Sequence, residues 1–153
     1  MSKELKVRDI MSRNIVAVSP DDGMEKVVQK MNQFRIGSIL VAESGQPKGI
    51  ITERDVLTKV VEKGRLARDI RAKEVMSTPV RTISEEASVE SAAMEMVRND
   101  IKRLVVTRNS AMSGVLTSTD ILRAVAKGTL SHEIYIYLSD IFKKPPLSDS
   151  LTR

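Results

Sequence analysis

The stretch Gly49-Ile50-Ile51-Thr52-Glu53-Arg54-Asp55 decides the fold, because it returns in the second half of the chain as Gly114-Val115-Leu116-Thr117-Ser118-Thr119-Asp120. The offset that takes Gly49 to Gly114 also aligns residues further away, without a gap, such as Met11 with Met76. Many matches at one shared offset indicate an internal duplication. The sequence therefore predicts one structural unit that is built twice.

The duplication divides the chain into three parts. Gly64 lies near the seam between the two copies, and the last residues match neither copy. We therefore predict a first repeat over residues 1–66, a second repeat over residues 67–128 and a C-terminal extension over residues 129–153.

The residue patterns of both repeats predict the same order of secondary-structure elements. A short leader helix precedes β-α-β-β-α, in which apolar residues at i, i+3, i+4 and i+7, such as Met24, Val27, Val28 and Met31, indicate one buried helix face. Ser19 and its counterpart Ser84 have the residue type of an N-cap, so we expect the first long helices to begin there. The fold class is α/β (α+β), and we expect the two repeats to pack with pseudo-two-fold symmetry. The predicted strands cover residues 15–18, 39–41 and 49–51 in the first repeat and residues 80–83, 104–106 and 114–116 in the second.

The C-terminal extension predicts one more short helix, because apolar residues recur along one face between Leu130 and Phe142. We expect it to dock on its own module, on a second copy or on a target protein. The only histidine, His132, lies here, and a solvated role is expected for it. The apolar positions are Ile134, Leu138, Ile141 and Phe142.

Composition excludes several classes of chemistry. The chain has no cysteine and one histidine, which excludes disulfides and thiolate chemistry, and no spacing typical of metal ligands occurs. No apolar run reaches the roughly 18 residues of a membrane span, and the N-terminus lacks the apolar core of a secretory signal. We therefore expect a cytoplasmic protein that is not an enzyme, holds no metal and requires no cofactor.

The chain is basic, with a net charge of +5 and a pI near 9.6. A positive balance favours partners that carry phosphate, whether a nucleotide or a nucleic acid. A nucleic-acid-binding protein is therefore one alternative, although aromatic residues for stacking make up only 3% of the chain. A second alternative is a structural dimerisation module whose clefts stay empty.

The repeated Thr-x-x-Asp motif has two physical interpretations. A strand that runs straight into a helix leaves the first helical N–H groups unpaired, and that end favours anions. A threonine hydroxyl and a carboxylate beside it suit the ribose hydroxyls of a nucleoside phosphate. The same spacing is also an ordinary capping box. From the residues alone, both interpretations stay open.

Beyond these patterns, residues 5–127 resemble a tandem pair of CBS domains, the Bateman module. The resemblance is carried by two leaders, DIMSRNIVAVSPDDGMEKVVQKM (residues 9–31) and EVMSTPVRTISEEASVESAAMEM (residues 74–96), and by the closings GIITERDVL and GVLTSTDIL. It implies a regulatory, energy-sensing module that binds AMP, ADP, ATP or S-adenosylmethionine between its repeats. It also implies a homodimer and a target protein that the module regulates.

The resemblance implies a first ligand site in which Thr52 and Asp55 hold the ribose. Phosphate would meet the basic pair Lys102 and Arg103, and Arg54 would reach in. The adenine would lie against Pro79, Val80 and Arg81, with Ile50 behind it.

The resemblance also implies a second, weaker site. Here the basic pair is replaced by Gly37 and Ser38, so we expect weaker binding of phosphate. The ribose would be held by Thr117, Thr119 and Asp120, and the adenine would lie against Asn14, Ile15 and Val16, with Val115 behind it.

Overall fold

A computed structural model describes residues 4–130 together with residues 133, 134, 136, 138 and 139. The order of elements is the same in both repeats, each preceded by a one-turn leader helix. In the first repeat these are α1 (Val7–Ile10), β1 (Ala17–Val18), α2 (Met24–Phe34), β2 (Ser38–Glu43), β3 (Gln46–Thr52) and α3 (Glu53–Val56), which continues as a π-helix over Leu57–Val61. A 3₁₀ turn (Ala67–Asp69) then leads to α4 (Ala72–Val75), β4 (Thr82–Ser84), α5 (Val89–Asn99), β5 (Arg103–Arg108), β6 (Ala111–Thr117) and α6 (Ser118–Ala126).

Each repeat contributes one three-stranded mixed sheet, which confirms the predicted α/β class. In the first sheet, β1 pairs with β2 in parallel and β2 pairs with β3 antiparallel; in the second, the order is β4-β5-β6 with β4 and β5 parallel. The hairpins turn at Ser44-Gly45 and Asn109-Ser110, where all four residues have positive φ. Such φ values are those of the tight turns that match the twist of antiparallel strands.

The compact units of the chain do not follow the order of the repeats. One unit, hereafter unit A, contains residues 14–81 and 109–112; the other, unit B, contains the described residues of the ranges 1–13, 82–108 and 113–153. The leader helix of each repeat therefore packs in the unit built around the other repeat's sheet. In unit B the Val7 amide donates to the Ala87 carbonyl, and in unit A the Ala72 amide donates to the Asp22 carbonyl.

Each unit has an apolar core of its own. Unit A buries the faces of α2 and of β2, together with Ile70, Ala72 and Val75 from the segment that leads into the second repeat. Unit B buries the matching face of α5 together with Val7 and Met11 from the N-terminal leader. Aliphatic side chains and methionines build both cores, as the low aromatic content predicts.

The prediction that Ser19 and Ser84 cap the long helices is wrong. Helix α2 begins at Met24 after Gly23, and α5 begins at Val89 after Ser88, whose hydroxyl accepts from the Ser91 amide. Ser19 instead forms a tight turn with Asp22, in which the Ser19 amide donates to Asp22 Oδ2 over 2.8 Å. The serine and aspartate that suggested a helix cap therefore form a local turn before the helix.

From residue 133 onward, the described residues of the C-terminal extension are helical and belong to unit B. Residues Glu133, Ile134, Ile136, Leu138 and Ser139 are helical, and Ile134 and Leu138 belong to the buried cluster of this unit. At these positions the residues are helical, and Ile134 and Leu138 pack in the core of the chain's own unit B. The predictions for Ile141, Phe142 and His132 lie outside the described residues. None of the described helices is long and apolar enough to cross a membrane.

Candidate functional site

Both Thr-x-x-Asp motifs form capping boxes at the starts of α3 and α6. The Asp55 amide donates to Thr52 Oγ1 over 3.1 Å, and the Thr52 amide donates to Asp55 Oδ2 over 2.9 Å. In α6 the matching bonds between Thr117 and Asp120 measure 3.2 and 2.9 Å. The capping interpretation therefore holds for the backbone, but it uses only Oδ2 of each carboxylate.

The remaining carboxylate oxygen of Asp55 faces a cation. Lys59 Nζ lies 3.1 Å from Asp55 Oδ1 and also donates to the Val75 carbonyl over 2.9 Å. Ser77 Oγ lies 3.4 Å from the same Oδ1. Asp55 is 9% exposed, so this carboxylate sits in a small, partly desolvated polar cluster at the base of α3.

The corresponding oxygen of Asp120 has a looser partner. Arg123 Nη1 lies 3.5 Å from Asp120 Oδ1, and the Arg123 side chain is largely exposed. The position that matches Lys59 is occupied by Ala124, which cannot form an ion pair. The carboxylate at the start of α6 is therefore more open to an incoming hydroxyl group than the one at the start of α3.

The segment that follows α4 runs beside the end of β3. The Ile50 and Ser77 backbones exchange two hydrogen bonds of 3.1 and 2.8 Å, which brings residues 77–81 into the same unit as Thr52 and Asp55. Gly49 permits this approach, because a Cβ there would lie 2.7 Å from Met76 Sδ. In unit B, Gly114 has the same role beside the carbonyl of Ser12.

Seven of the nine residues predicted for the first site belong to unit A. Ile50 and Thr52 lie on β3 and Arg54 and Asp55 on α3, whereas Pro79, Val80 and Arg81 follow the segment that pairs with Ile50. Asp55 is buried, Ile50, Thr52 and Val80 are half-buried, and Arg54, Pro79 and Arg81 are exposed; the Thr78-Pro79 peptide is cis. The two remaining residues, Lys102 and Arg103, belong to unit B. The members in unit A are Ile50, Thr52, Arg54, Asp55, Pro79, Val80 and Arg81.

Arg103 has a buried nitrogen, Nε, that lacks a hydrogen-bond partner within the described residues. Burial also lowers the pKa of the Arg103 guanidinium below its usual value. A partly desolvated guanidinium with an unpaired N–H is costly, so an anion that paired with it would recover that free energy.

The residues of the second predicted site are divided between the units. Val115, Thr117, Thr119 and Asp120 lie in unit B at the end of β6 and the start of α6. The other members, Asn14, Ile15, Val16, Gly37 and Ser38, lie in unit A.

Sequence reasoning missed Lys59 and Ser77, which contact the Asp55 carboxylate. Lys59 follows Asp55 by four residues, which is the spacing of an ion pair on a helix and could have been detected. Ser77 reaches Asp55 only through the pairing of its segment with β3, which no local pattern reveals. Across the described ranges no group of three or more acidic, histidine or cysteine side chains is placed to hold a metal ion.

Comparisons with known proteins match this architecture. The CBS domain model matches residues 7–62 and 72–127. A protein of Methanopyrus kandleri is 35% identical over 79% of this chain, which spans only 63% of that protein's length. The CBS domain-containing protein YhcV of Bacillus subtilis is 30% identical over 75% of this chain and 81% of its own length.

Solved structures share the fold. The CBS domain pair of the protein MJ0100, in complex with 5′-methylthioadenosine and S-adenosyl-L-methionine, has a TM-score of 0.73 at 21% identity, over 82% of this chain and 99% of that one. CBS pairs are regulatory ligand-binding modules. Because the family model covers more than half of its residues in two copies, the chain belongs to the CBS-domain family as a tandem CBS pair.

Proposed function

We propose that this CBS pair is a sensor that binds an adenosine-containing ligand, either an adenine nucleotide or S-adenosylmethionine, and regulates a partner protein without being an enzyme itself. The observation that carries the proposal is the pair of repeat-equivalent carboxylates, Asp55 and Asp120, each of which uses only Oδ2 in its helix cap. The Oδ1 atoms can therefore accept hydrogen bonds from ribose hydroxyl groups.

Two further observations support an adenosine ligand. In the same unit as the first carboxylate, the side chains of Ile50 and Val80 are half-buried and offer apolar surface to a base. The partly buried guanidinium of Arg103, without a hydrogen-bond partner at Nε among the described residues, suits a phosphate or carboxylate group. The related pair of MJ0100 was solved with two adenosine derivatives, which supports the same ligand class here.

Binding would regulate by differential affinity. A ligand shifts a conformational equilibrium only by as much as it binds one state better than the other. An adenosine ligand that binds one conformation of the module more tightly would therefore raise the population of that conformation. We expect this conformation to be what a partner protein, or a second copy in a homodimer, recognises.

Calorimetric melting with a panel of ligands tests this function. A ligand at 100 times its dissociation constant adds about 2.7 kcal/mol to the free energy of unfolding, which raises the melting temperature by about 5–10 °C. We expect this rise with at least one of AMP, ADP, ATP and S-adenosylmethionine, and none with GTP. The double variant Asp55→Ala/Asp120→Ala should lose the response.

The control is Asp22→Ala, because Asp22 accepts from the Ser19 amide and pairs with Lys26 in the way that Asp55 does with Thr52 and Lys59. It lies outside the candidate site and should keep the full ligand response. If no adenosine ligand raises the melting temperature, the proposal fails. A rise with DNA or RNA instead, lost at high salt, would replace it with nucleic-acid binding.

A further inference from the structure

The helix that begins at α3 contains one residue more than its counterpart α6. Both helices are followed by a glycine with positive φ, Gly64 in the first repeat and Gly128 in the second. In each, the glycine amide donates to the carbonyl three residues back, and the next amide donates to the carbonyl five residues back. These glycines are 64 residues apart, whereas the capping boxes at the helix starts are 65 residues apart. One extra residue therefore lies between Asp55 and Gly64.

The extra residue is accommodated in the π-helix over Leu57–Val61. The Glu62 amide donates to the Leu57 carbonyl, five residues back, over 2.8 Å. Single π-turns inside α-helices are uncommon and occur frequently at functional sites. This one begins two residues after Asp55, so it changes the positions of the side chains next to the candidate ligand carboxylate.

The π-turn brings a basic side chain closer to the carboxylate. Counted from the capping boxes, Lys59 matches Ala124, but counted back from the glycines it matches Arg123. The basic residue is therefore the fourth after the aspartate in the first repeat and the third in the second. Lys59 Nζ lies 3.1 Å from Asp55 Oδ1, whereas Arg123 Nη1 lies 3.5 Å from its carboxylate. Lys59 also donates to the Val75 carbonyl, which holds the ammonium beside the carboxylate.

In this arrangement the accepting positions of the Asp55 carboxylate are all in use. Oδ2 accepts from the amide and from the hydroxyl of Thr52, over 2.9 and 3.1 Å. Oδ1 faces Lys59 Nζ and the Ser77 hydroxyl, which lie 3.1 and 3.4 Å away. An ionised carboxylate offers about four accepting positions. A ribose hydroxyl can therefore bind to Asp55 only after one of these partners has moved.

We propose that Lys59 makes an autoinhibitory contact in the first ligand site, where its ammonium occupies the carboxylate oxygen that a ribose needs and has to be displaced by the ligand. The inference rests on the proposed function, in which Asp55 meets the ribose. Lys59 is the partner that leaves, because its side chain is 40% exposed and its ammonium regains water. Ser77, in contrast, belongs to a segment that two backbone hydrogen bonds hold to Ile50. The contact raises the ligand concentration at which the first site fills.

Competitive acetylation of lysine side chains tests the proposal with the full-length protein. The protein reacts with limiting acetic anhydride, with and without saturating adenosine, and mass spectrometry gives the rate at each lysine. Adenosine is the probe because it has ribose hydroxyls but no anionic group with which Lys59 could pair. We expect Lys59 to react about threefold faster with adenosine bound, because its ammonium has left an ion pair of modest strength. Lys26, which pairs with Asp22 at the same helical spacing, is the control and should keep its rate.

Three variants test the cause of the contact. Asp55→Asn removes the charge that holds Lys59 and should raise its acetylation rate, without ligand, to the level seen with adenosine. Deletion of Thr58 removes the extra residue and should raise the affinity for adenosine by about threefold, because the basic side chain then has the spacing found in α6. Lys59→Met keeps the helix length and should give the same gain, so the test remains decisive if the deletion does not fold. Both affinities are measured by isothermal titration calorimetry with Asp120→Ala added, so that only the first carboxylate contributes.

Calorimetry on the acetylation samples separates the outcomes. If adenosine binds and the rate at Lys59 stays the same or falls, the inference is wrong while the proposed function stands. A rise that Lys26 shares would reflect a general change of the protein and would also overturn the inference. Absence of adenosine binding at millimolar concentration would overturn the inference, and absence of a response to the whole ligand panel would overturn the proposed function as well.

Discussion

The starts of α3 and α6 are the same structure with different surroundings. Both are capping boxes with bond lengths within about 0.1 Å of one another. Lys59 Nζ lies 3.1 Å from the second oxygen of Asp55, Oδ1, whereas the exposed Arg123 lies 3.5 Å from Oδ1 of Asp120. The basic pair at residues 102–103 has no counterpart at residues 37–38. Both copies of the duplicated unit have the backbone hydrogen bonds of the capping box, which the fold needs twice, whereas the side chains around them differ.

The most direct test of this difference replaces the two carboxylates themselves. We expect Asp55→Ala to lower the affinity for AMP at the tighter site by about a hundredfold, because it removes two charge-assisted hydrogen bonds to the ribose. Asp120→Ala should leave that site nearly unchanged and remove only a weaker one. Isothermal titration calorimetry separates the two sites by affinity and stoichiometry. A larger loss with Asp120→Ala would reverse the assignment.

The basic pair offers the next largest effect. Arg103→Met should lower the affinity for AMP by about tenfold and leave the affinity for adenosine, which has no phosphate, unchanged. The same substitution should keep or raise the melting temperature, because it removes a partly buried guanidinium whose Nε has no partner among the described residues.

The control for Arg103 is Arg98→Met, whose side chain is 67% exposed and pairs with Glu95. It should change neither nucleotide affinity nor stability noticeably. If Arg103→Met weakens AMP and adenosine equally, the guanidinium supports the fold of the site rather than the phosphate.

Replacing Lys59 makes the surroundings of the first carboxylate resemble those of the second. Lys59→Ala introduces the residue found at the matching position, Ala124, and frees Asp55 Oδ1 from its ion pair. We expect the affinity for adenosine to rise by about threefold, since a partly exposed pair contributes up to about 1 kcal/mol. Lys26→Ala, which removes the similar pair on Asp22, should leave the affinity as it is. A fall in adenosine affinity would show that Lys59 itself contacts the ligand.

The smallest expected effect is on the stability of the fold at acid pH, where one carboxylate of each unit can be compared. The Lys6 side chain lowers the pKa of Glu86 in unit B, whereas the Ser19 backbone N–H lowers the pKa of Asp22 in unit A. A carboxylate with a lowered folded pKa stabilises the fold above its unfolded pKa, near 4.5 for Glu86 and 3.8 for Asp22, and loses this as pH falls through the folded value.

Melting temperature should therefore decrease as pH falls below about 4.5. Glu86→Gln and Asp22→Asn should each flatten part of that decrease, which differential scanning calorimetry between pH 3 and pH 6 would record. A double variant with the same pH dependence as the wild type would contradict the role of these two carboxylates.

The sequence alone predicted the parts of this molecule that local patterns determine. The shared offset located both capping boxes, and runs of apolar residues located all six strands within a few residues. Ser19 misled the prediction of the helix start because a serine followed three residues later by aspartate also forms an isolated turn. Gly23, which precedes the helix, instead pairs with Arg71, which is distant in the sequence.

Long-range pairing accounts for what the sequence did not reveal. Each leader packs in the unit of the other repeat through contacts between distant residues, such as that between Val7 and Ala87. Ser77 likewise reaches Asp55 only because its segment pairs with Ile50. No window of neighbouring residues contains this information. The buried Nε of Arg103, without a partner among the described residues, is likewise a property of packing that its residue type does not reveal.

Because each leader packs in the unit of the other repeat, the order in which the parts of the chain can fold during synthesis on the ribosome is also affected. Unit A holds residues 14–81 and needs only residues 109–112 in addition, so most of its core is available early. The leader around Val7 is made before that core, yet it has to remain without its partner until Ala87 and the rest of the second repeat have emerged. Domains form during translation as their segments become available. A segment made early is thus among the last to find its place, and a chain stopped at the repeat boundary would carry that segment with nothing to pack against.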